Sequence, residues 1–123
     1  MPEGRSILLV DDESELLSEL SELLSLRGHR VTACDSACKA IKALRRGPGQ
    51  YDVVLSDHRM PDQSGDAILG VIAELNATRV QQIKFALLTG GLSVPLAYAE
   101  SDVMVFFKPV EMSDLDIFIT SEE

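Results

Sequence analysis

Short, unbroken apolar runs alternate along the chain with stretches in which apolar residues recur every three or four positions. Ser6 to Val10 is the first run; it ends in Asp11 and Asp12, as expected of a strand covered on both faces. Leu16, Leu17, Leu20, Leu23 and Leu24 then mark one face of a helix over Ser14 to Leu26, which Gly28 stops. His29 to Cys34 predicts a second strand. Asp35 or Ser36 caps a helix running to about Arg46, with Ala37, Ala40, Ile41 and Leu44 inward. Gly47, Pro48 and Gly49 break the pattern. Asp52 to Ser56, closed by Asp57, is a third buried strand, and a loop from His58 to Gly65 leads into a helix from about Asp66 to Asn76. Ile83 to Leu88 and Val103 to Phe107 predict two more strands, and Ser113 is the expected cap of a short final helix.

Strand and helix alternating in this way predict an α/β fold: an open parallel sheet, joined by right-handed crossovers, with helices on both faces. No repeat, linker or second domain interrupts the pattern, so residues 1–123 are expected to form one domain. Gly90, Gly91 and Pro95 oppose the helix expected between the fourth and fifth strands, leaving Gly90 to Ser101 about one helical turn or none.

Composition narrows the function classes. With 46% hydrophobic and 25% charged residues the chain has a globular rather than disordered composition, and no apolar run approaches the roughly 20 residues of a membrane span. The opening residues are too short and polar for a signal peptide, which predicts a cytoplasmic protein. A net charge of −9 argues against direct binding to nucleic acid or anionic membranes and favours a divalent cation or a basic protein surface. Cys34 and Cys38 lack the further cysteines or histidines of a zinc site and read as small, partly buried thiols.

The candidate chemistry gathers where open α/β sheets place their ligands, beyond the carboxyl ends of the strands. Asp11 and Asp12 follow the first strand, Asp57 the third, Thr89 the fourth and Lys108 the fifth. Singly, each has a plainer explanation: a helix start, a turn, a strand end. Together they are difficult to ascribe to chance. Converging carboxylates repel unless a hard cation sits among them, and oxygen ligands suit Mg²⁺. A threonine hydroxyl and a lysine ammonium suit phosphoryl oxygens, and one carboxylate can then serve as nucleophile.

The order Asp11-Asp12, Asp57 with Met60-Pro61 and Gly65, Thr89-Gly90, then Lys108-Pro109 resembles the receiver domains of bacterial response regulators and hybrid histidine kinases, over essentially the whole chain. The resemblance implies a flavodoxin-like (βα)₅ receiver fold with strand order 2-1-3-4-5. It implies a phosphorelay signalling switch, not a metabolic enzyme. Asp57 would be the phosphoacceptor and, with Asp12, a Mg²⁺ ligand; Asp11 would act through water, and the Arg59 backbone carbonyl would complete the protein ligands. Thr89 and Lys108 would bind phosphoryl oxygens. The implied partners are a sensor histidine kinase or phosphotransfer protein and an unidentified downstream protein.

Two departures from the family pattern stand out. The aromatic residue usual three positions before the lysine is replaced by Val105, with Phe106 and Phe107 after it, and a strand slip would be needed to put a phenylalanine in its place. Thr89 and Lys108 stand only 19 positions apart, short for a full fourth helix. With Phe85 and Pro95, this resembles a receiver subgroup whose fourth helix is short or disordered, associated with HWE-type kinases; Leu87, Leu88 and Gly91 differ from its motif. Gly90 to Ser101 is accordingly expected to carry the output by an order–disorder change. His29 reads as an exposed strand-start residue, His58 as pointing away from Asp57, and Arg59 as either solvated or tuning hydrolysis. Two rivals remain: a phosphorylation-independent pseudo-receiver, favoured by Val105, and a small Mg²⁺-dependent phosphohydrolase, whose nucleophile spacing Asp11 and Glu13 fit only loosely.

Overall fold

The computed structural model describes residues 4–47, 49–57, 65–77, 82–89, 104–108 and 110–121. In chain order the elements are β1 (Ser6–Val10), α1 (Ser14–Leu26), β2 (Arg30–Cys34), α2 (Ala37–Arg46), β3 (Val53–Asp57), α3 (Gly65–Asn76), β4 (Lys84–Thr89), β5 (Met104–Phe107) and a C-terminal helix, α4 (Met112–Thr120). All strand pairs are parallel and the sheet order is β2-β1-β3-β4-β5. The flavodoxin-like arrangement expected from the sequence is therefore the one observed. The expected short or disordered helix of Gly90 to Ser101, and with it the expected output segment, lies outside the described residues.

Alternation along the strands builds two cores, one on each face of the sheet. Leu8, Val10, Val54, Phe85 and Leu87 face α2 and α3, meeting Ala37, Ala40, Leu44, Ile68 and Ile72. Ile7, Leu9, Val53, Leu55, Ala86 and Leu88 face α1 and α4, meeting Leu17, Leu20, Leu24, Leu115 and Ile119. This double cover is why the strands read as continuous apolar runs.

Local signals fix the helix ends. The Ser36 hydroxyl accepts from the Lys39 N–H at 3.2 Å and caps α2. At the end of α1 the N–H of Gly28 donates to Ser25 and that of His29 to Leu24, the paired bonds of a glycine-terminated helix, with Gly28 at φ 94°. Ser113 is not a cap: α4 begins at Met112 after Glu111, and no side chain caps it.

His29 is buried, not exposed as its place at a strand start suggested. Its Nδ1 accepts from the Arg5 backbone N–H at 3.0 Å, so the proton lies on Nε2, which donates to Asp116 of α4 at 2.9 Å. Arg27 joins Asp116 at 3.6 Å, and the Arg5 guanidinium donates to the Thr120 carbonyl at 3.2 Å. From the start of β4, the Lys84 ammonium donates to the Phe118 carbonyl at 2.7 Å and also to Ser121, while lying over the Phe118 ring. The last turn of α4 has no basic residue of its own. Lys84 and Arg5 supply the cations that its terminal carbonyls favour.

Candidate functional site

The register brings three strand ends to one edge. Val10 pairs with both Cys34 and Ser56, and Asp57 pairs with Leu88, one residue short of Thr89. Asp11 and Asp12, following β1, therefore stand beside Asp57 at the end of β3.

The neighbouring aspartates have different environments. Asp11 is 1% exposed; its backbone N–H donates to the Cys34 carbonyl, and its Oδ1 accepts from the Glu13 backbone N–H at 2.9 Å. That side-chain bond to a backbone two residues on turns the chain out of β1 into α1, which starts without a side-chain cap from Glu13. Asp12 is exposed. The resemblance gave the two aspartates different roles but not the turn made by Asp11, for which an aspartate two residues before a non-capping residue at a helix start is the signal.

Lys108 reaches back from the end of β5 across this edge. Its Nζ lies 3.3 Å from Asp11 Oδ2 and 3.4 Å from Asp57 Oδ1. Partial burial of the ammonium works against its charge, but Asp57 and then Asp11 outweigh that loss and hold the lysine above its ordinary pKa. The Lys108 backbone N–H also donates to the Thr89 carbonyl at 2.8 Å, so the end of β5 is tied to the end of β4. Thr89 itself is buried.

Asp11, Asp12, Asp57, Thr89 and Lys108 are thus gathered at one edge, while Arg59 and His58 lie outside the described residues. Oxygens of Asp11, Asp12 and Asp57 all fall within 4.8 Å of one another. That spread is close to what an octahedral cation holding oxygens at about 2.0–2.1 Å would gather. The donor set is oxygen alone and one member is exposed, which suits Mg²⁺ with part of its water shell retained.

A groove of about 420 Å³ runs from Lys108 along α1, lined by Leu16, Glu19, Leu20, Leu23, Val110 and Met112. Leu16, Leu17, Leu20, Leu23 and Leu24 of α1 share one helix face, as their spacing predicts, yet Leu23 is 43% exposed at this groove. A stripe wider than a helix needs for its core, followed by apolar residues after Lys108, is the signal that could have found it.

At β5, Val105 packs into the core shared with α2 and α3, and Phe106 packs into the opposite core, edge-on to Phe118 with ring centroids 5.7 Å apart. Phe107 shares the face of Val105 with no slip of register, and it is 53% exposed.

The profile of the response regulator receiver domain matches residues 7–119. The two-component response regulator ARR11 of Arabidopsis thaliana is 38% identical over 68 residues, which is 55% of this chain but only 13% of that protein. The crystal structure of a response regulator receiver protein from Sinorhizobium medicae superposes with a TM-score of 0.82 at 27% identity, covering 98% of each chain. A receiver domain protein from Clostridium thermocellum gives 0.77 at 29% identity, over 94% of this chain and 90% of the other. With that profile spanning residues 7–119, this chain belongs to the response regulator receiver domain family.

Proposed function

We propose that residues 1–123 act as one cytoplasmic receiver unit that accepts a phosphoryl group on Asp57 in a Mg²⁺-dependent reaction. The observation that carries this reading is the placement of the Lys108 ammonium between Asp57 Oδ1 and Asp11 Oδ2, at the edge where the carboxylates converge. A lysine so placed can leave the carboxylates for a phosphoryl oxygen without crossing the protein. Thr89, at the end of the adjacent strand, supplies a hydroxyl donor for a second oxygen, assisted by the Gly90 backbone N–H.

Asp57 and Asp12 would hold Mg²⁺ directly, and the Arg59 carbonyl would add a third protein ligand. Both oxygens of Asp11 are already engaged, one by Glu13 and one by Lys108, which favours its acting through a water molecule. Bound there, the ion would neutralise charge on the phosphoryl oxygens. In the transfer, the P–N bond of a phosphohistidine breaks as a P–O bond forms to an Asp57 carboxylate oxygen, and the released imidazole takes up a proton. The protein's part is to position the acceptor and the cationic group.

The donor would be a sensor histidine kinase or a phosphotransfer protein, and the output a contact with a protein target. The apolar groove that opens at Lys108 supports a helical donor surface lying along α1. Incubation with acetyl phosphate and Mg²⁺, or with a cognate kinase, should add one phosphoryl group to wild type and none to Asp57→Ala. Equal labelling of the two proteins would sink the assignment, and no labelling of either would favour a pseudo-receiver.

A further inference from the structure

The basic residues of this acidic chain are not spread evenly. The 10 residues of α2 hold Lys39, Lys42, Arg45 and Arg46, four of the 11 lysines and arginines, and no carboxylate. In α1 the only charged residues are Glu15, Glu19 and Glu22. Buried Ala37, Ala40 and Leu44 turn Lys39, Lys42 and Arg46 to the outer side of α2. Buried Leu17, Leu20 and Leu24 do the same for the three glutamates of α1. All six charged residues are exposed.

The two rows have matching steps. Along α1 the glutamates stand four and then three residues apart; read back along α2, Arg46, Lys42 and Lys39 do so too. At about 1.5 Å per residue, both rows step by about 6 Å and then about 4.5 Å. Antiparallel alignment therefore sets Glu15 against Arg46, Glu19 against Lys42 and Glu22 against Lys39. Within one molecule the rows cannot meet, because α1 covers one face of the sheet and α2 the other. Among the described residues, Glu15, Glu19, Glu22, Lys42 and Arg46 have no ion-pair partner, whereas Asp35 holds Lys39 at 2.8 Å and Glu74 holds Arg45 at 3.2 Å.

We propose that α1 of one copy docks antiparallel on α2 of a second copy, with Glu19 and Lys42 at the centre of the contact. Leu26 extends the glutamate row by one turn and Leu23 lies beside it. At 78% and 43% exposed, they are the apolar surface that the contact covers. The two copies use different faces, so the arrangement is head-to-tail and leaves a free row at each end for further copies. Exposed ion pairs contribute little singly, which makes the association weak and sensitive to salt. It does not rest on the metal or the phosphoacceptor role proposed for Asp57.

Sedimentation velocity of the whole chain, over a range of protein concentrations and with a chelator present, tests this. In about 20 mM salt the sedimentation coefficient of wild type should rise with concentration, and in about 500 mM salt it should not. Lys42→Glu and Glu19→Lys should each weaken association by about tenfold. Each reversal changes the net charge of −9 by two, to −11 and −7 respectively, so a loss in both is no general effect of charge. Mixed in equal amounts, the two variants should associate again, because each supplies the row that the other needs. The double variant, Glu19→Lys with Lys42→Glu, should associate by itself as wild type does. Unchanged far-ultraviolet circular dichroism checks that every variant keeps its helices. A wild type that stays monomeric in low salt overturns the inference, as does association that survives in either single variant. So does failure of the mixture or of the double variant to recover it.

Discussion

The two ends of the sheet handle charge in opposite ways. At the amino end, buried His29 uses both ring nitrogens, Asp116 takes His29 and Arg27, and Arg5 and Lys84 bind the last carbonyls of α4. These groups hold a short helix in place, although the Arg5 Nε is buried with no hydrogen-bond partner among the described residues. At the carboxyl end, among the described residues, three carboxylates face a single lysine ammonium. The same backbone thus supports one end where charged groups tie a helix in place and one where carboxylates cluster in a form that a bound cation would relieve.

The largest expected effect breaks the amino end. His29→Ala leaves the Arg5 N–H unpaired and takes from Asp116 its closest partner, which should cost about 2 kcal/mol of stability by urea denaturation. Labelling of Asp57 at a temperature where the variant stays folded should be unchanged. A loss of labelling in the folded variant would show that the two ends are not independent.

Next comes the carboxyl end itself. A cation that binds only the folded state stabilises it by mass action, so Mg²⁺ at ten times its dissociation constant should add about 1.4 kcal/mol and raise the thermal midpoint. His29→Ala should keep this response, and Asp12→Asn should blunt it. A midpoint indifferent to Mg²⁺ at millimolar concentration would remove the cation from the account.

A smaller effect is expected from neutralising one carboxylate. Without metal, Asp57→Asn gives up a 3.4 Å contact with Lys108 but relieves repulsion from Asp11 and Asp12, and Lys108 keeps Asp11. The balance should favour the variant by about 0.5–1 kcal/mol. If Asp57→Asn is instead less stable without metal, the pairing with Lys108 outweighs the repulsion.

The contrast between the ends also explains what could be read in the sequence. Apolar periodicity located every described element to within a residue or two, because strands covered on both faces and helices with one inner face leave distinct patterns. The carboxyl-edge residues were legible because topology alone places strand ends together. The amino end was not legible. His29 meets Arg5 24 residues away and Asp116 87 residues away, and no local pattern encodes such a pairing. Ser113 misled for a related reason: it is a good capping residue, but packing of Leu115 and Ile119 against the sheet sets where α4 begins. The exposed edge of Leu23 was hidden because periodicity identifies a face and says nothing of how wide its cover is.

The smallest expected effect sharpens the comparison by measuring local opening at the carboxyl end. Cys34 is buried at the end of β2, and its carbonyl accepts from the Asp11 N–H at 3.1 Å, so it sits beside the acidic edge without belonging to it. Burial, and then the charge of Asp35, push its thiol above the ordinary pKa, with partial relief from Lys39, which keeps the reactive thiolate scarce. Cys38, on the exposed side of α2, should be alkylated at once and serve as the internal reference. Alkylation of Cys34 then requires β2 to open. As an edge strand paired only with β1, β2 can open without global unfolding, so it should feel only part of the stabilisation given by the cation. Mg²⁺ should therefore slow Cys34 alkylation by only about two- to threefold, less than the full gain in global stability would allow. The rate at Cys38 should not change. Slowing as large as the global gain would mean that β2 opens only with the whole sheet, whereas no slowing would place the effect of the cation away from the end of β1.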